Sequence, residues 1–77
     1  MNKARRNKIG EIAAKLSDLR DEISQILEEE EEVRDNIPEN LYGSERYEKS
    51  DEACEVLETC GESLEDIVSQ LNELAEG

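Results

Sequence analysis

Apolar residues recur at alternating steps of three and four along the first half of the chain. They fall at Ile9, Ile12, Leu16, Leu19, Ile23, Ile26, Val33 and Ile37. This is the heptad pattern of a helix in a coiled coil, with Ile9, Leu16, Ile23, Glu30 and Ile37 at the a positions. Ala13 and Leu27 at e positions widen the stripe, which favours a helical bundle over a two-stranded coil.

Breaker and capping residues divide the pattern into two helices. Pro38 cannot donate to a helical ladder and disfavours helical geometry at Ile37, so the first helix is expected over about residues 4–35. Residues 36–43 form the connection, and Ser44 is a suitable N-cap for a second helix over about 44–75. Ser50 is an alternative start. The expected seam of this helix is Ala53, Leu57, Cys60, Leu64, Ile67, Leu71 and Leu74.

Two helices of similar length joined by a short loop predict an all-α fold, an antiparallel two-helix hairpin that occupies residues 1–77 as one domain. A hairpin of 77 residues without Phe or Trp has little core of its own. The two cysteines, six residues apart, do not suit a bridge within a helix, and there is no histidine. Dimerisation into a four-helix bundle with C2 symmetry is therefore the expected support.

Charge is distributed unevenly along this acidic chain, whose net charge is −13. Residues 1–20 carry +4 and residues 21–77 carry −17, so direct binding of nucleic acid is not expected and a basic protein surface is the expected partner. The candidate acidic surface at the loop end is Glu28, Glu31, Glu32 and Asp35. Such a surface can equally serve only to keep the protein in solution.

A second candidate site lies near the loop. Antiparallel pairing is expected to bring Glu30 close to Ser50, with Arg46 about one turn away. One interpretation is a polar layer that fixes the register of the helices. The other is a small pocket completed by Tyr47, Asn40 and Tyr42, in which Arg and Tyr stack on a base and hold a phosphate of a nucleotide-type ligand.

Known catalytic patterns are not visible in this sequence. Without histidine there is no Ser-His or Cys-His couple, and neither a glycine-rich phosphate loop nor a calcium loop is present. We expect no catalytic residues, no metal ligands and no cofactor. With no signal peptide or membrane span in the sequence and no disulfide expected, a cytoplasmic location is predicted and membrane binding is not.

The least generic stretch runs from Asp35 to Glu48 and reads DNIPENLYGSERYE. It resembles the D-N-x-P-E-N-L-x-x-S-E-R-Y-E motif of short acidic helical proteins encoded by phages and integrative elements of Firmicutes. The resemblance implies a mobile-element origin and the cytoplasm of a bacterial host, where small phage proteins often bind and block host proteins, including defence systems. A turn alone needs Pro38 and Gly43 but not Glu39, Asn40 or Arg46, so these three join the candidate binding residues.

Three functions are consistent with these features. The first is a dimeric, non-enzymatic protein of a mobile element that inhibits a host protein, such as an antiviral defence component, through its acidic loop end. The second is a sponge that sequesters a nucleotide-type signal near Arg46 and Tyr47. The third is a structural or assembly protein that consists only of its coiled coil. Neutralising Glu28, Glu31 and Glu32 distinguishes the first function, and Arg46→Ala or Tyr47→Ala distinguishes the second.

Overall fold

A computed structural model describes residues 1–77, the whole chain. The first helix, α1, spans Lys3–Asp35. Its start is capped by Asn2, whose side-chain oxygen accepts a hydrogen bond from the backbone N–H of Arg5 at 2.8 Å. The helix ends just before Asn36, two residues ahead of the proline that was expected to stop it. The predicted bounds, residues 4–35, are thus confirmed to within one residue.

The second helix, α2, spans Glu45–Glu76 and follows a short connection that contains a single 3-10 turn, Glu39–Leu41. The Ser44 hydroxyl accepts a hydrogen bond from the backbone N–H of Tyr47 at 3.3 Å, as an N-cap does. The predicted cap is therefore confirmed, and the alternative start at Ser50 is wrong, because Ser50 lies more than one turn inside α2.

The two helices pack side by side over their full length. Gly10 in the third turn of α1 lies against Ala75 at the end of α2, and Arg34 near the end of α1 contacts Asp51 near the start of α2. Contacts between residues that are early in one helix and late in the other define an antiparallel hairpin, as predicted. The Cα atoms span 59 × 14 × 13 Å, the shape of a rod. Neither helix contains a segment long and apolar enough to cross a membrane.

The side of α1 that faces α2 differs from the predicted a/d stripe. It consists of the a and e positions, which are buried or half-buried: Ile9, Ala13, Leu16, Arg20, Ile23, Leu27, Glu30 and Arg34. Ile37, the next a position, is buried just beyond the end of the helix. The four d residues are exposed instead: Ile12, Leu19, Ile26 and Val33. Small Ala13 lets the helices approach, and the long stems of Arg20 and Arg34 can cover apolar surface while their charged ends reach acids.

The seam of α2 is also rotated from its predicted position. Buried or half-buried residues recur at Tyr47, Ser50, Cys54, Leu57, Gly61, Leu64, Val68, Leu71 and Ala75. Leu57, Leu64 and Leu71 were correctly predicted, whereas Cys60, Ile67 and Leu74 are exposed and their assignment to the seam is wrong. Ala53, also predicted in the seam, is half-buried beside Cys54. The side that faces the other helix was predicted wrongly on both helices for the same reason. Each helix carries two adjacent apolar rows, and only one of them can face the other helix.

The hairpin has a thin core. Only Ala13, Ile37, Cys54 and Ser50 are buried, four of the 77 residues. Cys54 and Cys60 are both free thiols, the first buried and the second exposed. The fold therefore leaves most apolar side chains of each helix partly in contact with solvent.

Candidate binding faces

Two sides of the hairpin can be distinguished by their position relative to the seam. Because the helices run in opposite directions, residues that precede a seam residue by one lie on the same side of both helices, and residues that follow it by one lie on the other side. The ion pairs between Arg20 and Glu65 and between Arg34 and Asp51 lie on the second side, since both acids directly follow a seam residue. These two sides differ sharply in chemistry.

The second side is acidic in residues 21–62, the half of the hairpin next to the connection. We call these residues the loop half. Of the ten positions on the two helices there that follow a seam residue, nine are acids and the tenth is Ser24. We call this set the acidic face: Asp21, Glu28, Glu31, Asp35, Glu48, Asp51, Glu55, Glu58 and Glu62. No lysine or arginine occupies any of these positions, so the carboxylates reinforce each other's field.

Two seam arginines are the basic groups that contact the acidic face. Within this half Arg34 donates through Nε to Asp35 at 3.2 Å and through Nη1 to Asp51 at 3.0 Å. The hydrogen bond with Asp35 raises the pKa of Arg34 above its ordinary value, with Asp51 adding to the effect. At the border with the other half, Arg20 contacts Asp21 and Glu65, and the hydrogen bond with Asp21 raises its pKa. The remaining carboxylates of the face make no ion pair.

The first side carries one apolar row on each helix. Its two rows, one from each helix, are what we call the apolar face: Ile12, Leu19, Ile26 and Val33 on α1, with Ala53, Cys60, Ile67 and Leu74 on α2. The contacts of Gly10 with Ala75 and of Arg34 with Asp51 set the register of the helices. In this register each residue of the α1 row lies at the same height as one residue of the α2 row, from Ile12 with Leu74 to Val33 with Ala53. Val56 lies beside the α2 row and is 55% exposed.

The predicted acidic surface coincides only in part with the acidic face. Glu28 and Asp35 are exposed and Glu31 is half-buried, and all three belong to the face. Glu32 is exposed but lies on the outer side of α1, away from α2. Sequence reasoning missed the α2 members of the face, although counting one residue on from each seam position would have found them once the seam was known.

Glu30 and Ser50 are brought together as the sequence predicted. The Ser50 hydroxyl donates to a carboxylate oxygen of Glu30 at 3.1 Å, and Ser50 is buried while Glu30 is half-buried. Both residues are in the seam, so this pair forms a polar layer between the helices. The arrangement matches the interpretation in which polar groups fix the register.

The two tyrosines contact each other. The ring centroids of Tyr42 and Tyr47 are 4.5 Å apart with an angle of 25° between the ring planes, a stacked geometry. Tyr47 is half-buried in the seam and Tyr42 is 41% exposed at the end of the connection. One face of each ring is thus used to hold the loop on α2. Glu39 and Asn40 are exposed in the 3-10 turn.

Arg46 lines a shallow cavity of about 280 Å³. Its other lining residues are Val33, Asn36, Ile37 and Pro38, so Glu30, Tyr47 and Ser50 lie outside it. Arg46 is exposed and forms no ion pair, in contrast to Arg34. The cavity combines an apolar wall with one free cation, on the same side of the hairpin as the apolar face.

Comparison with known proteins gives no relative from which a role could be transferred. No protein-family model, no curated protein and no solved structure matches this chain.

Proposed function

We propose that this chain is a non-enzymatic binding protein that attaches to a basic surface of a host protein through its acidic face and inhibits that protein. The observation that carries the proposal is the clustering of nine acids on one side of the loop half, with no base among them. The proposal also includes a cytoplasmic host protein that is a defence component and an origin in a phage or mobile element. These parts rest on the central motif from Asp35 to Glu48.

The distribution of charge between the two sides supports this proposal over simple solubility. In the loop half, the positions that precede a seam residue carry two acids and two bases, Glu22, Glu29, Arg46 and Lys49. The acidic side has nine acids, and solubility alone would not require this difference. A one-signed surface speeds association with a surface of opposite sign and raises its specificity.

The geometry of the acidic face suits a broad, flat contact. On each helix its members are spaced by three, four or seven residues, which corresponds to about 5 to 10 Å along the helix axis. Two such rows on adjacent helices present carboxylates over the loop half of a rod 59 Å long. Lysine and arginine side chains of a basic surface can pair with several of these carboxylates at once.

Three matched proteins test the proposal when they are immobilised and exposed to lysate of the bacterial host. The first is the wild type. The second carries Glu28→Gln, Glu31→Gln and Glu58→Gln on the acidic face. The third carries Glu22→Gln, Glu29→Gln and Glu52→Gln, which remove the same charge from other positions. We expect one host protein to be retained by the wild type and the third protein, released by salt, and lost by the second.

Two results would count against the proposal. Equal losses in both triple variants would show that only net charge attracts the host protein. If the wild type retains no host protein in a salt-dependent way, the chain does not act through a basic partner. If the host protein is retained as expected, a separate assay tests inhibition. The wild type or the second protein is added to the purified host protein, and the activity of the host protein is measured.

A second candidate function, a sponge for a nucleotide-type ligand, is favoured by one observation. Arg46 forms no ion pair although acids surround the loop end, and it lines a cavity with an apolar wall. Native mass spectrometry of the protein purified gently from its host would reveal a retained small ligand. The extra mass should disappear with Arg46→Ala and persist with Lys49→Ala, which removes a cation that is already paired with Glu45.

A further inference from the structure

The apolar face has no partner within the chain. On α1 its residues Ile12, Leu19, Ile26 and Val33 are between 40% and 51% exposed, and on α2 Ile67 and Leu74 are 43% and 48% exposed. Isolated exposed apolar residues are common, but a continuous double row along a whole molecule marks an interaction surface. The question is which molecule covers it.

We propose that the apolar face binds a second copy of the same chain, with the two rods pointing in opposite directions, to form a C2-symmetric four-helix bundle. This inference does not depend on the proposed function, because it uses the other side of the hairpin. The acidic faces of both copies would remain exposed on the two outer surfaces of the bundle.

The area of the face fits a partner of this size. A flat side of 59 by 14 Å covers about 800 Å², which is about what one partner contributes to a stable protein interface. A second hairpin of the same length and width covers the face from end to end. It would also supply the core that the single hairpin lacks, since only four residues are buried in one chain.

Charge decides how the two copies are oriented. The loop half, residues 21–62, contains sixteen acids and three bases, whereas the other half, residues 1–20 and 63–77, contains six of each. If both loops lay at the same end, two halves of net charge −13 would be in contact. Reversing one copy places each strongly acidic half against a neutral half, which removes most of this repulsion.

The reversed arrangement also gives matching side chains. With a two-fold axis across the middle of the rod, α1 packs on α1 of the second copy and α2 packs on α2. Leu19 then lies opposite Ile26 of the second copy, and Ile12 lies opposite Val33 of the second copy. At the edge of the face Lys15 comes alongside Glu29 of the second copy, an opposite-charge pair that the arrangement with both loops together would not form.

A pair of adjacent substitutions tests which face is used. Ile26→Lys places a charge in the middle of the apolar face, whereas Gln25→Lys adds the same charge one residue earlier, on the outer side of α1. Sedimentation should give twice the chain mass of 8.8 kDa for the wild type and for Gln25→Lys. Ile26→Lys should be monomeric or lose helicity at the same concentration. A monomeric wild type, a dimeric Ile26→Lys or a larger assembly would overturn the proposal.

A distance measurement tests the orientation. Spin labels are attached at Lys49→Cys in a protein that also carries Cys54→Ala and Cys60→Ser and is confirmed to have the wild-type mass by sedimentation. In the reversed dimer the two labels lie roughly 40 Å apart, from the rise of about 1.5 Å per residue between position 49 and the middle of the face. A distance below roughly 20 Å would place both loops at one end and overturn the reversed arrangement.

Discussion

The Ser50 hydroxyl on α2 donates a hydrogen bond to the Glu30 carboxylate on α1. This pair forms a polar layer in a seam whose other layers are mostly aliphatic. A glutamate at this place is a departure from the heptad pattern. A polar pair gives less stability than aliphatic packing, but it can be satisfied in only one register of the two helices. We interpret the pair as the device that holds the two similar helices in the observed alignment.

Separate and combined substitutions of this pair should have opposite effects. Ser50→Ala leaves the half-buried Glu30 carboxylate without its partner and should lower the free energy of unfolding by about 1 kcal/mol. Glu30→Leu together with Ser50→Ala replaces the polar layer by an apolar one and should be at least as stable as the wild type. Urea unfolding of the three proteins measures both effects. A double variant that is less stable than the wild type would contradict this account.

The pairing of Glu30 with Ser50 could be predicted because it depends only on helix bounds and loop length. Pro38 and Ser44 fixed those bounds to within a residue, and two helices of known length joined by a short loop have few possible registers. The rotation of each helix about its axis could not be predicted in the same way. Ile12 and Ala13 both belong to apolar rows, and only the packed pair shows that Ala13 is buried and Ile12 is exposed.

Arg34 connects the two helices through its contacts with Asp35 and Asp51. Arg34→Gln should lower the stability of the hairpin at low salt, because two carboxylates of the acidic face would lose their counter-charge. The loss should shrink in about 1 M salt, where electrostatic screening acts over about 3 Å. Thermal unfolding at both salt concentrations provides the measurement.

The matched control for this change is Lys49→Gln, which removes the same charge from a pair within α2, with Glu45. Exposed pairs of this kind contribute little, so its effect should be smaller than that of Arg34→Gln. Equal effects of the two substitutions would mean that general repulsion, not the bridge between helices, accounts for the role of Arg34.

The stacked tyrosines should hold the connection against α2. Tyr42→Ala removes the stack and should reduce the free energy of unfolding by about 1 kcal/mol, the usual contribution of an aromatic pair beyond its buried area. Tyr42→Phe keeps the ring and should leave stability nearly unchanged. Both effects are measured by urea unfolding, and a similar loss in the two variants would point to the hydroxyl instead of the stack.

The two cysteines should differ in reactivity. Cys54 is 3% exposed, and burial raises the pKa of its thiol, so both access and thiolate concentration are low. Cys60 is exposed. Iodoacetamide at pH 8, at a protein concentration low enough to keep the chain monomeric, should therefore modify Cys60 first and Cys54 only at the rate of unfolding. Peptide mass spectrometry over time distinguishes the sites, and similar rates would show that the seam opens readily.

The same burial predicts a pH dependence. In the unfolded chain Cys54 loses its proton near its ordinary pKa of 9.0, whereas the folded chain holds the proton to higher pH. Above about pH 9 the unfolded state therefore binds fewer protons, and stability falls as pH rises until the folded thiol also ionises. Cys54→Ala should show a smaller fall between pH 8 and 10 in urea unfolding. An identical decline in both proteins would assign it to other groups.

Gly61 shows a limit of reasoning from residue type alone. A glycine inside a helix predicts close approach of a neighbouring backbone. A Cβ on Gly61, however, would have no atom within 4 Å apart from its chain neighbours and the nearby backbone of its own helix. That interpretation is therefore wrong within the single chain. The position faces α1 and is half-buried, so a methyl group would meet open space in the seam.

Gly61→Ala should accordingly stabilise the protein. Alanine is favoured over glycine in a helix by about 1 kcal/mol, and the added methyl group finds room. Gly10→Ala is a useful comparison, because its new Cβ would be 3.9 Å from the Ala75 side chain, an ordinary contact, and a similar gain is expected. Urea unfolding measures both. The contrary result is that Gly61→Ala, but not Gly10→Ala, destabilises the protein and weakens dimerisation. The space beside Gly61 would then be filled by the second copy. The contact between the two copies would have to include the seam as well as the apolar face.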